Sequence, residues 1–179
     1  MKNKKNDFTN ILITGCGSGL GKSSAIALAK LGYHVFASVE FMQEIEDFQK
    51  IIILENLNID VFCLNILDKN ARKMISNFDI DILVCNAAIG NSGSVAEFSV
   101  DDVRKVFDTN VFAHLECIQI ALEDMICKKK AGRIIILSSL VGRIPMPFLS
   151  PYCASKFALD CFGICLRQEM KLLNKLKRY

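Results

Sequence analysis

Short apolar runs recur along the chain at 10–14, 34–39, 60–65, 80–86 and 133–139, each bounded by polar or glycine residues. Runs of this length fit strands buried on both faces, the signature of a parallel sheet covered by helices. The segments between them carry helical spacing. Residues 19–31 are alanine-rich and stop at Gly32, while Phe41, Ile45, Phe48 and Ile52 recur at spacings that place them on one helix face. A short third helix is predicted from 68 or 69 to 77. Ser99 caps a long fourth one, whose opening Val100-Asp-Asp suits the positive end of a helix dipole. The last helix starts at Pro151 or Tyr152, and Phe157, Cys161, Ile164 and Leu172 prolong its apolar face. Right-handed crossovers then give an α/β fold, a Rossmann-type doubly wound parallel sheet of order 3-2-1-4-5. Its ligand crevice lies at the carboxyl ends of the strands, where the winding reverses.

Composition narrows the function classes. A length of 179 residues with 51% hydrophobic content suits one domain, 1–179, with ample core. No apolar run approaches the roughly 18 residues of a membrane span. The basic start Met1-Lys-Asn-Lys-Lys5 leads into Asp7 and a strand instead of a signal-peptide core, so a cytoplasmic protein is expected. Eight cysteines, at 16, 63, 85, 117, 127, 153, 161 and 165, form no C-x-x-C pair and read as reduced, mostly buried thiols. Cys161 and Cys165 share a helix face, which is assigned to packing. With only His34 and His114 besides, no metal site is expected. The net charge of +3 comes from Lys2, Lys4 and Lys5, from Lys128 to Lys130, and from Lys171, Lys175, Lys177 and Arg178. These are solvated ends and a loop, without the continuous basic stripe that nucleic acid requires.

Two clusters carry chemistry. Thr14 ends the first strand, and Gly15, Gly17, Gly19 and Gly21 follow at every second position, leaving backbone amides free to approach a pyrophosphate at a helix N-terminus. Gly21-Lys22-Ser23 invites a P-loop reading, but the pattern G-x-x-x-x-G-K-S/T needs glycine where Cys16 stands. Further along, Tyr152 and Lys156 lie four apart, so on a helix a phenol and an ammonium point the same way. Ser139 of the Ser138-Ser139 pair precedes Tyr152 by thirteen residues.

Thr14-Gly-x-x-x-Gly-x-Gly21, Cys85-Asn-Ala-Ala88, Asn110, Ser139 and Tyr152-x-x-x-Lys156 occur in a set order and spacing. In these the chain resembles the short-chain dehydrogenase/reductase family, from about residue 10 to 173, and 138–158 is similar to its hydroxysteroid, retinol and 3-hydroxybutyrate dehydrogenase branch. The resemblance implies hydride transfer between a nicotinamide cofactor and a secondary alcohol or ketone. Tyr152 is then the general acid/base, Lys156 its helper and ribose anchor, Ser139 the hydroxyl that polarises the carbonyl, and Asn110 the holder of a proton-relay water. The cofactor would lie against Thr14, Gly15, Gly17, Ser18, Gly19, Leu20, Gly21, Glu40, Asn65, Asn86, Ala87 and Ala88, with Tyr152 and Lys156. Ala88 stands where the family commonly has glycine.

Glu40, ending the second strand, favours NAD because a carboxylate bonds the ribose 2′-hydroxyl and repels a 2′-phosphate, although the family's usual acidic position aligns with Val39. Asn65 can still bond adenine and Lys22 can compensate a phosphate, which keeps NADP open. Family members continue past the equivalent of Tyr179 through a Pro-Gly turn, a substrate-covering segment and a final strand. A C-terminally truncated form is therefore expected, with slower turnover, or else a catalytically impaired nucleotide-binding or partner subunit. Relatives commonly dimerise through the helices at 100–129 and 151–175, so a homo-oligomer is expected. Ile144, Met146 and Phe148 hint at an apolar substrate.

Overall fold

A computed structural model describes residues 9–176, with side chains described through 173. Lys2, Lys4, Lys5, Lys177 and Arg178, and the side chain of Lys175, lie outside the described residues. Five parallel strands form the sheet: β1 (Asn10–Ile13), β2 (His34–Val39), β3 (Ile59–Cys63), β4 (Ile82–Cys85) and β5 (Arg133–Ile136). Their order is β3-β2-β1-β4-β5, as the alternation of elements predicts, with Ile11 opposite Val35 on one side and Ile82 on the other. The helices are α1 (Gly19–Lys30), α2 (Met42–Glu55), α3 (Lys69–Arg72), α4 (Val100–Phe107), α5 (Ala113–Cys127) and α6 (Ser150–Leu176).

The chain divides into two compact units, Met1–Ala88 with Ala113–Leu137, and Ile89–Phe112 with Ser138–Tyr179. The first holds the sheet with α1, α2, α3 and α5. Ile11, Ile13, Val35, Ala37, Val39, Ile82 and Val84 face one side, where Ala25 and Ala29 of α1 and Phe48 of α2 close the core. β-Branched residues dominate the strands because they pack well on a pleated surface. Small alanines let α1 lie close. Both helices end in left-handed caps, Gly32 (φ 92°) after α1 and Asn56 (φ 49°) after α2, and each cap turns the chain into the next strand.

Several expected boundaries move. β1, β3, β4 and β5 stop before residues 14, 65, 86 and 139, because their last residues bend into the loops described below. The third helix is one α turn, capped by the Asp68 carboxylate on the Asn70 and Ala71 amides, followed by a 3-10 turn at Lys73–Asn77. Arg72 between them is buried, its Nε donating to Glu116 at 3.0 Å. The guanidinium holds Glu116 below the usual carboxylate range.

In the second unit, Ser99 caps α4 as expected, accepting from the Asp102 amide at 3.0 Å. The long fourth helix is interrupted: a π turn at Asp108–Phe112 follows α4 before α5 begins. Among the described residues the apolar stripe of α6 stays largely exposed. Phe157, Ile164 and Leu172 are 41%, 59% and 59% exposed, and Cys161 and Cys165 are exposed too. The assignment of the two thiols to packing is therefore corrected: helical period marks a face but does not supply a neighbour to cover it. Of the eight thiols, Cys16, Cys85, Cys117 and Cys153 are buried, while Cys127 joins the exposed pair. Among the described residues no helix is long and apolar enough to cross a membrane, and no group of three or more potential ligands is placed to hold a metal.

At the amino ends of β1 and β4, Asp81 Oδ2 accepts from the Thr9 and Asn10 amides at 2.7 and 2.8 Å, and Oδ1 meets Lys130 Nζ at 2.7 Å. Burial pushes its pKa up, but Lys130 and the two amides outweigh burial and leave it lowered. A depressed folded-state pKa stabilises the fold above the ordinary carboxylate value of about 3.9, and that contribution disappears as the pH falls through the folded value. Urea unfolding from pH 6 to below 3 should therefore show a loss of stability that is measurably smaller in Asp81→Asn. Parallel pH profiles for the two proteins would contradict the assignment.

Candidate functional site

The glycine loop of the first unit is built by backbone approach. Gly15 has φ 72°, and a Cβ there would lie 2.7 Å from Ala87 Cα; a Cβ on Gly21 would lie 2.3 Å from the Gly15 carbonyl oxygen. Ser38 on β2 holds the loop from below, its Oγ accepting from the Gly15 amide at 3.2 Å and its carbonyl from Cys16 at 2.6 Å. Thr14 and Asn86 interlock. The Thr14 hydroxyl accepts from the Asn86 and Ala87 amides at 3.0 and 3.1 Å, and Asn86 Nδ2 donates to the carbonyls of Thr14 and Gly15 at 2.8 and 2.9 Å. Both side chains therefore fix the loop to the end of β4.

What the loop offers a ligand lies one step further. Ser18, Gly19 and Leu20 are exposed, and the space where a Gly19 Cβ would go is open. Ser18 places no side-chain acceptor on the first amides of α1, and no acidic residue stands in its first turn. The positive end of the helix is thus open to an anion. A narrow glycine cradle leading to an uncapped helix N-terminus fits a dinucleotide pyrophosphate. Cys16, inside the loop, is no nucleophile: burial pushes its thiol up to about 12. Lys22 Nζ lies 5.2 Å from the centroid of the Phe48 ring on α2. Glu40 and Ala88 are exposed, as is Asn65, whose Oδ1 accepts from the Leu67 amide at 2.9 Å.

A cradle this tight gives a direct expectation. Gly21→Ala drives a methyl into a backbone oxygen and the Asn86 amide, neither of which can rotate away. Calorimetric titration should show dinucleotide affinity falling at least about tenfold, with a stability loss of roughly 1–3 kcal/mol from overpacking. Unchanged affinity would mean that the loop is a plain turn.

The second unit carries the four residues of the expected catalytic set. Lys156 is 2% exposed, and its Nζ lies 5.6 Å from the centroid of the Tyr152 ring, one helical turn away on α6. Asn110 sits in the π turn, fully buried. Its Oδ1 accepts from the Ile89 amide at 2.8 Å, and its Nδ2 donates to the Ile89 carbonyl at 2.8 Å and to Ser155 Oγ at 3.0 Å. Ser155 in turn donates to the Tyr152 carbonyl at 2.7 Å. The chain Ile89–Asn110–Ser155–Tyr152 therefore fixes the turn of α6 that bears the phenol. Ser139 is half-buried, its Oγ accepting from the Val141 amide at 3.4 Å and so capping the 3-10 turn at Leu140–Gly142. That turn seats on α6, since a Cβ on Gly142 would come within 3.2 Å of Lys156 Cβ and 2.6 Å of Ser138 Oγ.

Sequence patterns do not point to Ser38, Ser155 or Gly142, which hold these groups in place. Their roles arise from contacts across long sequence separations. The π turn has no signal either, because Asp108-Thr-Asn-Val-Phe112 continues a helical pattern.

The family profile described as short chain dehydrogenase matches residues 9–174. The chain is 31% identical to human 17-beta-hydroxysteroid dehydrogenase type 1, over 92% of this chain and 52% of that protein. It is 37% identical to the 3-oxoacyl-[acyl-carrier-protein] reductase FabG of Rickettsia conorii, over 83% of this chain and 61% of that one. Among solved structures, a putative 2-deoxy-d-gluconate 3-dehydrogenase from Agrobacterium tumefaciens with bound NADP superposes with a TM-score of 0.84. That pair is 26% identical, over 92% of this chain and 68% of the other. The fold is also that of an actinorhodin polyketide ketoreductase with NADPH, at a TM-score of 0.85 and 24% identity over 91% of this chain and 65% of that one. The chain spans about half the length of the human relative. With a profile match from residue 9 to 174 and the relatives' sheet order, the chain belongs to the short-chain dehydrogenase family.

Proposed function

We propose that the protein transfers hydride between a nicotinamide cofactor and a secondary alcohol or ketone, with Tyr152 moving the proton on the substrate oxygen. The observation that carries this reading is the buried Lys156 ammonium one turn from the Tyr152 ring, on a helix locked by Asn110 and Ser155. General acid/base catalysis requires a proton-carrying side chain held in a fixed place, and the Tyr152 phenol on this locked turn meets that requirement. Ser139 donates to the same substrate oxygen as charge develops there. The chain's residues orient the carbonyl and handle its proton, and a nicotinamide held there would supply or accept the hydride. The amides of Gly19 to Gly21 would hold the pyrophosphate, and the acidic residues that follow β2 support NAD ahead of NADP.

An apolar carbonyl compound suits the segment before α6. Phe148 is 66% exposed and held at φ 64°, a conformation that costs a bulky residue on the order of 1 kcal/mol or more. The exposed face of α6 supports association with a second copy of the chain. Sedimentation should then report a dimer that a charge at Ile164 dissociates.

The test is direct. Purified protein titrated with NAD and NADP, then mixed with a panel of apolar ketones and secondary alcohols, should bind cofactor and change nicotinamide absorbance. Cofactor binding with no turnover on any member of the panel would overturn the catalytic reading and leave a nucleotide-binding subunit.

A further inference from the structure

Gly17 is half-buried, yet the face where its side chain would project is occupied. A Cβ built on Gly17 would lie 2.0 Å from Glu44 Oε1, 2.5 Å from its Cδ and 2.7 Å from its Oε2. Glu44 belongs to the first turn of α2 and thus reaches across 27 positions of sequence to rest its carboxylate on the glycine loop. The other side of the group is tied down: Oε2 accepts from the backbone amides of Glu40 and Phe41, at 3.0 Å each. Phe41, the N-cap residue, has no side-chain acceptor of its own, so Glu44 supplies the capping interaction that the helix start requires. The result is a carboxylate in a fixed place where the end of β2 meets the glycine loop. Gly17 has no side chain to exclude it.

We infer that Glu44 is the residue that reads the adenosine ribose and discriminates against a ribose 2′-phosphate. This rests on the dinucleotide reading above and moves the selectivity from Glu40 to Glu44. In a doubly wound sheet the ribose hydroxyls lie beside the end of the second strand, next to the glycine turn that carries the pyrophosphate. Glu44 occupies that corner with one oxygen anchored by two amides and the other against Gly17. A ribose diol donates to such an oxygen. A phosphate carrying nearly two negative charges is repelled by it and finds its compensation reduced, because Lys22 Nζ lies against the Phe48 ring and Asp47 acts electrostatically on the same lysine. Glu40 is exposed and contributes to this corner its backbone amide, which Glu44 already holds.

The experiment separates charge from packing. Glu44→Gln keeps an acceptor for the Glu40 and Phe41 amides and removes the charge; Glu40→Gln removes the neighbouring charge alone. Dissociation constants for NAD, NADP, 5′-AMP and adenosine 2′,5′-bisphosphate would be measured by calorimetry on each protein, with thermal unfolding to confirm an intact fold. Glu44→Gln should lower the NAD-over-NADP affinity ratio by about tenfold or more and shift the two adenosine fragments in parallel. Glu40→Gln should change either ratio by less than about threefold. A ratio that stays within twofold in Glu44→Gln, or one that moves chiefly in Glu40→Gln, overturns the assignment while leaving the proposed function intact. A wild-type protein that binds neither dinucleotide overturns the proposed function and this inference together.

Discussion

Replacing Tyr152 with phenylalanine should reduce turnover about a thousandfold while leaving cofactor affinity within a few-fold, because general acid/base catalysis contributes roughly 10²–10⁴. The substitution removes one hydroxyl and nothing that holds α6 in place. The ring that faces Lys156 at 5.6 Å remains, and the tyrosine's structural bond runs through its backbone carbonyl to Ser155. Stability should therefore change by no more than about 0.5 kcal/mol, as for a substitution away from buried networks. Steady-state kinetics beside urea unfolding makes the separation visible. A loss of activity matched by a loss of stability would assign the phenol to the fold, and full activity in Tyr152→Phe would remove it from the mechanism.

The largest effect on stability is expected at Asn110. Asn110→Ala strips partners from the Ile89 amide, the Ile89 carbonyl and the Ser155 hydroxyl in one change, and it opens a gap at a fully buried position. Each buried polar group left unpaired costs about 1–3 kcal/mol, and partial solvent access at Ile89 brings the total to roughly 2–4 kcal/mol. Asn110→Asp should not rescue it, since a carboxylate cannot donate to Ile89 or Ser155 and buries a charge. Ser155→Ala, which loses the bond to Asn110 and the bond to the Tyr152 carbonyl, should cost less, about 1–2 kcal/mol. Activity should fall in the same order, because the network positions the turn bearing Tyr152. An Asn110→Ala protein of unchanged urea midpoint would contradict this placement.

How far the sequence reveals this differs from element to element. The five strands and their order are legible because each reads as a short apolar run between helical segments, most plainly Ile82–Cys85, which is buried throughout. Their carboxyl ends are not, since Thr14 and Asn86 look like strand residues until their mutual hydrogen bonds show them closing a loop. Ser99 is legible as a cap, because capping depends on a few adjacent residues. The π turn that buries Asn110 is not, because it depends on what Ile89 and Ser155 offer from elsewhere in the chain. Tyr152 and Lys156 are found by spacing, and burial of the lysine is a structural finding. The exposed stripe on α6 marks the other limit, since amphipathic period gives the same pattern whether or not a neighbouring element covers it.

One measurement reaches the chemistry without depending on efficient turnover. Reduced nicotinamide cofactor carrying deuterium at C4 would be incubated with stoichiometric protein and each of a panel of apolar ketones, and the products read by mass spectrometry. Deuterium bonded to the carbinol carbon of a product alcohol, present with wild-type protein and missing with Tyr152→Phe, is the expected result. Bound cofactor that retains its label against every ketone would contradict hydride transfer by this chain.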